Sequence, residues 1–279
     1  MFRTEKTVVH PDWQTLLGAH DLVTVRGVYA CSTGRAVASS RTTQVREIEL
    51  AETDTARPRT LFIKRYWFPS FASRWNGALR GTFLGRSKVR REFDNLAWLR
   101  AHGFDAPRPV AWGEERNGGW LTRSLLISEG IPEPLALSKF IRDTLPSRPA
   151  SVRRELIERL AALTRRLHEQ RFVHHDLFWR NIILTGEALD RFALIDAHKG
   201  RVWRMGAEQR SRAADLAALD APAPWFFRRT ERLRFFLLYR GHARLTPEDR
   251  VLLRATLHHA EPMRERQLLR VGGGRRART

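Results

Sequence analysis

The sequence has 279 residues, 42% of them hydrophobic and 29% charged, a balance that excludes disordered and collagen-like chains. Fifty basic residues against 30 acidic ones give a formal charge of +20, so we expect anionic partners such as nucleotides, nucleic acid, acidic proteins or anionic membrane surfaces. One cysteine, Cys31, excludes an intramolecular disulfide and a zinc site built on paired cysteines, and no apolar stretch predicts a membrane span, so we expect a cytoplasmic protein.

Short runs rich in β-branched residues predict an antiparallel sheet in the first half of the chain. The predicted strands cover residues 22–30, 45–50, 61–66, 110–112 and 121–127, with a turn at 117–119 before the last. Residues 31–35 are predicted to form a hairpin tip after the first strand, in which Gly34 would cradle phosphate. Residues 87–102 change to a helical period and predict one helix that ends at Gly103.

Glycine and proline concentrate around residues 129–134, and the pattern beyond them is mainly helical. We predict an N-terminal lobe over 1–128, a hinge over 129–134, a C-terminal lobe over 135–270 and a basic flexible tail over 271–279. In the C-terminal lobe we predict a helix over 151–170 capped by Ser151, a small hairpin over 181–195, and helices over 207–219, over 231–239 and from Thr246 onward. The order of elements predicts an α+β fold with two lobes.

The segment from His174 to Asn181, His-His-Asp-Leu-Phe-Trp-Arg-Asn, is the most informative in the chain. Together with the apolar strand that ends at Asp196, it matches the phosphotransferase pattern His-x-Asp-Leu-x-x-x-Asn followed by Asp. Phosphoryl transfer needs a carboxylate beside the attacking hydroxyl and oxygen ligands that hold Mg²⁺ against the phosphates of ATP. Asp176 would supply that carboxylate, and Asn181 and Asp196 are the candidate magnesium ligands.

Lys64 ends an apolar strand in the sequence Phe-Ile-Lys, as does the lysine that binds nucleotide phosphates in kinases. We expect Glu92, early on the next helix, to pair with Lys64 and so keep its ammonium charged and oriented. The alternative partner of Glu92 is Lys88, one helical turn earlier.

These motifs, in this order along the chain, resemble those of the bacterial lipopolysaccharide core kinase family of the Kdo/WaaP type. The resemblance is carried by residues 62–66, 90–93, 173–181 and 194–198. It implies a protein-kinase-like fold, with an antiparallel sheet and one helix in the first lobe and a mainly helical second lobe. It also implies ATP- and Mg²⁺-dependent transfer to a hydroxyl of an inner-core sugar, heptose or Kdo, with Asp176 as the catalytic base. Arg180 is a further candidate catalytic residue beside Asp176, and Glu129 and Gly34 are candidate nucleotide-binding residues with Lys64 and Glu92.

Three features depart from the protein-kinase pattern. The chain has no Gly-x-Gly-x-x-Gly, and Ala197 and His198 follow Asp196 where protein kinases have Phe and Gly. Phe178 stands where many serine/threonine kinases carry lysine, whereas Arg180 before Asn181 resembles the tyrosine-kinase arrangement. A kinase of another small hydroxyl compound, such as an aminoglycoside or choline, or of tyrosine is therefore the near alternative. A catalytically inactive kinase fold that acts as a binding module is the alternative from another class.

The segment from Lys64 to Arg91 is basic and aromatic and contains no acidic residue. It is the candidate contact for the lipopolysaccharide acceptor, with arginines such as Arg65 pairing with its phosphates and the aromatic rings entering the membrane interface. The competing interpretation is a solvated loop whose aromatic rings pack inward. We therefore expect an enzyme peripheral to the inner membrane. An acidic protein partner would also satisfy the charge, and nucleic acid is disfavoured because no nucleic-acid motif is present.

Overall fold

A computed structural model describes residues 3–51, 58–68, 85–186, 189, 191–203 and 208–276 of the chain. The chain divides into two compact units, Met1–Pro132 and Glu133–Thr279, and the division falls within the predicted segment 129–134. Sheet dominates the first unit and helices dominate the second. The predicted α+β class is therefore confirmed.

The first unit is built on a six-stranded antiparallel sheet with the strand order β1-β5-β6-β4-β3-β2. Its strands are β1 (Arg3–Val9), β2 (Arg35–Ser39), β3 (Thr43–Leu50), β4 (Arg59–Trp67), β5 (Pro109–Asn117) and β6 (Trp120–Glu129). Among the described residues, its α-helices are α1 (Gln14–Ala19), α2 (Val25–Ala30) and α3 (Lys88–Ala101). Lys64 lies in the middle of the sheet, opposite Val45 on β3 and Leu126 on β6. Apolar side chains from β3, β4, β5 and β6 pack with those of α1 and α2 into one core.

Local signals explain the elements that the sequence predicts correctly in this unit. Helix α3 begins after Ser87, whose hydroxyl accepts a hydrogen bond from the backbone N–H of Arg90 at 3.2 Å, and Gly103 follows its end with a φ of +75°. The turn between β5 and β6 places Gly118 and Gly119 at positive φ, which suits a tight hairpin. In both places the deciding residues lie within the segment that they shape.

The strand predicted over residues 22–30 is wrong, because this segment forms helix α2. The hydroxyl of Thr24 accepts a hydrogen bond from the backbone N–H of Gly27 at 3.0 Å and so caps the helix. Helix α2 covers residues 25–30 of this segment, and its fully buried Val25 and Val28 lie three residues apart on one helical face, while Leu22 is buried just before the helix. The β-branched composition favours a strand, but the periodic burial favours the helix.

The hairpin tip predicted at residues 31–35 is also wrong. Strand β2 begins at Arg35 and pairs with β3, so the tip of that hairpin lies between Ser39 and Thr43. A Cβ atom on Gly34 would lie 2.1 Å from the backbone oxygen of Glu47, which requires glycine for close packing. The backbone oxygens of residues 32–34 accept hydrogen bonds from the guanidinium of Arg46. A phosphate cradle uses backbone N–H groups, which these contacts do not involve, so the nucleotide role of Gly34 stays a prediction.

The second unit contains short strands and five helices among its described residues. In chain order these are β7 (Leu135–Ala136), α4 (Leu137–Lys139), α5 (Ala150–Glu169), β8 (Phe172–Val173), β9 (Ile182–Thr185), β10 (Arg191–Leu194), β11 (Arg201–Val202), α6 (Glu208–Asp220), α7 (Arg229–Arg240) and α8 (Pro247–Arg276). The strands form one sheet in the order β10-β9-β7 and a two-stranded pair of β11 and β8. The predicted hairpin over 181–195 corresponds to β9 and β10. Side chains of α5, α6, α7 and α8 form the helical core.

Two helix ends of this unit differ from the prediction. Helix α5 begins at Ala150 after Pro149, so Ser151 lies inside its first turn and is not the cap. Helix α8 continues to Arg276, where the sequence predicts a loose tail from residue 271, because a helix that has already formed adds further residues without a new nucleation step. No helix in the described ranges is long and apolar enough to span a membrane.

Candidate active site

The motif from His174 to Asn181 forms a loop between β8 and β9 that ends in a single 3₁₀ turn, Trp179–Asn181. The side-chain amide of Asn181 donates hydrogen bonds to the backbone oxygen of Asp176 at 2.8 Å and to its Oδ2 at 3.3 Å. The backbone N–H of Ile195 donates to the backbone oxygen of Asn181 at 3.0 Å. The structure thus brings Asp176 and Asn181 into contact and places Asp196 directly after Ile195, the residue that bonds Asn181.

Asp215 on α6 holds the backbone of this loop and is absent from the motifs found in the sequence. It is fully buried, and its Oδ2 and Oδ1 accept hydrogen bonds from the backbone N–H groups of His174 and His175, respectively, both at 2.7 Å. His175 has a φ of +57°, a conformation that a residue with a side chain adopts only when its surroundings enforce it. The only signal in the sequence is a carboxylate inside a run of small and apolar helical residues.

His174, the first residue of the loop, is fully buried. Its Nε2–H donates to the backbone oxygen of Ile195 at 3.1 Å, which links the loop to the strand that leads to Asp196. Burial lowers the pKa of His174, and the nearby carboxylates of Asp215, Asp176 and Asp196 oppose that shift. A buried histidine that bridges two backbone segments fits a role in supporting the loop.

Asp196 and Asn181 fit a magnesium ion by their chemistry, because carboxylate and amide oxygens are the ligands that Mg²⁺ prefers. The amide nitrogen of Asn181 donates to Asp176, so its side-chain carbonyl oxygen is the candidate ligand atom. Asp196 has a φ of +57°, and its Oδ1 contacts Nδ1 of His198 at 2.9 Å.

Two cations lie beside the carboxylate of Asp176. The ammonium of Lys199 donates to Oδ1 at 3.0 Å, a contact that the sequence analysis missed because no motif includes Lys199. The guanidinium of Arg180 lies 3.8 Å from Oδ2 and 4.3 Å from the centre of the Phe178 ring. Arg180 therefore lies next to Asp176 as predicted, and its catalytic role stays a prediction.

In the first unit, Lys64 and Glu92 form an ion pair with 2.5 Å between Nζ and Oε1. The Glu92 side chain is 1% exposed and the Lys64 side chain 21% exposed. Oε2 of Glu92 is buried and has no hydrogen-bond partner among the described residues. Lys88, the alternative partner, places its ammonium over the ring of Tyr66 instead, 5.0 Å from the ring centre. The predicted pairing of Glu92 with Lys64 is thus confirmed, and the nucleotide role of the pair stays a prediction.

The predictions for Glu129, for Arg65 and for the basic aromatic segment have different outcomes. Glu129 ends β6 half-buried, with Oε1 3.9 Å from the guanidinium of Arg59, and its nucleotide role stays a prediction. The prediction that Arg65 contacts the lipopolysaccharide acceptor is wrong, because Arg65 is buried. Its guanidinium donates hydrogen bonds to the backbone oxygen of Cys31 at 2.6 Å and to Oε1 of Gln44 at 3.0 Å. The central part of the basic aromatic segment, residues 69–84, lies outside the described residues.

Comparison with known proteins gives the family. The profile of the "Lipopolysaccharide kinase (Kdo/WaaP) family" matches residues 32–233, well over half of the chain. The lipopolysaccharide core heptose(I) kinase WaaP of Escherichia coli is 27% identical over 135 residues, which cover 46% of this chain and 51% of that protein. The match thus spans about half the length of this curated relative.

A solved structure described as WaaP in complex with acyl carrier protein has a TM-score of 0.65 and 22% identity, and the match covers 94% of this chain and 98% of that one. This likeness concerns the fold alone. The family profile includes Lys64, Glu92 and the whole segment from His174 to Asp196. On that match, the chain belongs to the lipopolysaccharide kinase (Kdo/WaaP) family, and the family and kinase-like fold predicted from its motifs are confirmed.

Proposed function

We propose that this protein is an ATP- and Mg²⁺-dependent kinase that phosphorylates a hydroxyl of an inner-core sugar of lipopolysaccharide. The observation that carries the proposal is the hydrogen-bonded loop in which Asn181 holds Asp176, and Asp215 holds the backbone before it. A buried carboxylate anchors this loop, so Asp176 is fixed in place before any substrate binds. The E. coli relative is described as a heptose kinase, which favours heptose over Kdo as the acceptor.

In this mechanism each residue acts through the contacts described above. Asp176 orients the acceptor hydroxyl and takes its proton as the oxygen attacks the γ-phosphorus. Asn181 and Asp196 would hold Mg²⁺, which neutralises phosphate charge when it is bound. Lys64, held by Glu92, would bind phosphate oxygens of ATP. Glu129 at the end of β6 is proposed to contact the nucleotide.

Two partners follow from the family and the charge. The acceptor is attached to a membrane lipid, so we propose that the protein acts at the inner membrane as a peripheral cytoplasmic enzyme. The related WaaP structure contains acyl carrier protein, and a chain with a formal charge of +20 suits an acidic protein of this kind. We propose such a protein as a second partner.

The test is phosphate transfer from Mg²⁺-ATP to dephosphorylated core oligosaccharide, followed by mass spectrometry. We expect the wild type to add one phosphate and Asp176→Asn to lower kcat by about a thousandfold. Asp143→Asn is the matched control, because Asp143 is an exposed aspartate of the same unit that pairs with its neighbour Arg142. Equal transfer by wild type and Asp176→Asn would exclude the proposed mechanism.

Parallel reactions with an aminoglycoside, choline and a tyrosine peptide separate the alternative acceptors. Phosphorylation of one of these, with none on the core sugar, would retain the kinase and change its substrate. Binding of core oligosaccharide without transfer to any acceptor would favour a non-catalytic binding module.

A further inference from the structure

The carboxylate of Asp176 is engaged on both of its oxygens by groups of its own unit. Lys199 contacts Oδ1 at 3.0 Å, and the amide of Asn181 contacts Oδ2 at 3.3 Å. Lys199 belongs to the short 3₁₀ turn Ala197–Lys199 that follows Asp196. An acceptor hydroxyl that reaches Oδ1 therefore competes with the Lys199 ammonium for that oxygen.

The reaction supplies another anionic group that the displaced ammonium can bind, the transferred phosphoryl group. Negative charge on the transferred phosphoryl group must be stabilised by cations fixed near the base. Phe178, next but one after Asp176, is apolar and cannot supply such a cation. The guanidinium of Arg180 lies over the Phe178 ring, and that stacking restrains its movement. The Lys199 side chain is 52% exposed on a flexible stem, so its ammonium moves at little cost to the fold.

We propose that Lys199 is a catalytic residue that neutralises Asp176 at rest and passes to the transferred phosphoryl group during the reaction. This inference rests on the proposed function. The acceptor oxygen forms a bond to the γ-phosphorus of ATP, and its proton goes to Asp176. The bond between the γ-phosphorus and the bridging oxygen breaks, and its electron pair stays on ADP. Lys199 keeps its protons throughout and contributes charge alone.

The test compares Lys199→Met and Lys199→Arg in the transfer assay, with Lys139→Met as the control at an exposed lysine of the same unit. We expect Lys199→Met to lower kcat by about a hundredfold and to change KM for ATP by less than about threefold, because the cation acts in the transition state. Lys199→Arg should retain at least about a tenth of the wild-type kcat. The melting temperatures of all variants should match that of the wild type.

A binding measurement gives a readout that needs no turnover. ADP with tetrafluoroaluminate mimics the transferred group, and calorimetry should show about a tenfold weaker affinity for it in Lys199→Met, with unchanged affinity for ADP. The chain has one cysteine, so Lys199→Cys in a Cys31→Ser background can be alkylated with bromoethylamine at a single position to restore an ammonium there. We expect alkylation to recover most of the lost kcat.

The results of these experiments distinguish failure of the role of Lys199 from failure of the proposed function. A Lys199→Met kcat within about threefold of the wild type overturns this inference and leaves the proposed function standing. Loss of activity that alkylation does not restore shows a structural role and overturns it as well. A wild type that transfers phosphate to no acceptor, while it binds ADP, overturns the proposed function and this inference together.

Discussion

Lys64 and Glu92 form an ion pair whose two partners differ in exposure. The carboxylate of Glu92 is almost completely buried, whereas Lys64 retains partial contact with solvent. A buried charge without a partner is strongly destabilising, so this pair contributes to folding as well as to the proposed nucleotide site. Activity alone cannot separate the two contributions when Lys64 is replaced.

We expect Lys64→Met to lower the free energy of unfolding by about 3 kcal/mol, because Glu92 would remain buried and unpaired. We expect kcat/KM to fall by at least about a hundredfold in the same variant. The double variant Lys64→Met with Glu92→Gln should regain most of the stability, since the amide is uncharged, and none of the activity. Denaturant unfolding and the transfer assay check both expectations. Recovery of activity in the double variant would show that Lys64 acts only through folding.

At the scale of single residues, the sequence predicted the pairs that belong to a recognised motif and missed those that do not. Asp176, Asn181 and the pairing of Lys64 with Glu92 were predicted because their spacing is part of the motif. Lys199 was missed because its contact with Asp176 depends on the path of the chain after Asp196. A local sequence pattern does not predict the path of the chain after Asp196.

At the scale of elements, the loop from His174 to Asn181 depends on a helix that follows it by about forty residues. Asp215 accepts both backbone N–H groups at the start of the loop and also lies 3.3 Å from Nε2 of His168 on α5. These contacts join the loop to two helices. Sequence patterns predict each helix by its own period, but the polar contact between them appears only when the helices pack.

The difference between signals within a segment and contacts made on packing also explains the wrong predictions in the first unit. Helix α3 and the β5–β6 turn carry their own caps and glycines, so both were predicted correctly. The segment 22–30 is short and rich in β-branched residues, and its helical form is fixed by burial against the sheet. Gly34 has a positive φ that suits a turn, but in the structure it packs closely against the backbone of Glu47 on β3.

The burial of His174 predicts a pH dependence of stability. Its pKa is lowered from the ordinary value of 6.5, so the unfolded chain takes up a proton at this residue at a higher pH than the folded chain does. Stability therefore falls as the pH drops below about 6.5, and this residue contributes a slope of at most about 1.4 kcal/mol per pH unit. His174→Gln can keep a donor to Ile195 and does not titrate. The difference in unfolding free energy between wild type and His174→Gln should shrink between pH 7 and pH 5, and a constant difference would contradict the expectation.

At the scale of the whole molecule, the formal charge of +20 is the property that the fold leaves unexplained. Several arginines are engaged within the protein, such as Arg232 and Arg264, which share the carboxylate of Asp220, and Arg240, which pairs with Asp249. Basic residues still outnumber acidic ones by 50 to 30, so pairing within the chain cannot neutralise the excess. The field of the molecule therefore attracts an anionic partner.

If the partner is an acidic carrier protein, its binding should weaken with salt. Attraction between exposed charges is screened over about 10 Å at 0.1 M ionic strength and over shorter distances at higher ionic strength. We expect the Kd for acyl carrier protein, measured by calorimetry, to rise at least about tenfold between about 50 and 300 mM salt, mainly through a slower association rate. An oligonucleotide of equal net charge serves as the control for attraction by charge alone. Binding of the oligonucleotide as tight as that of the carrier protein at 150 mM salt would show that charge is the only basis of the interaction, and a Kd that does not change with salt would exclude charge as its basis.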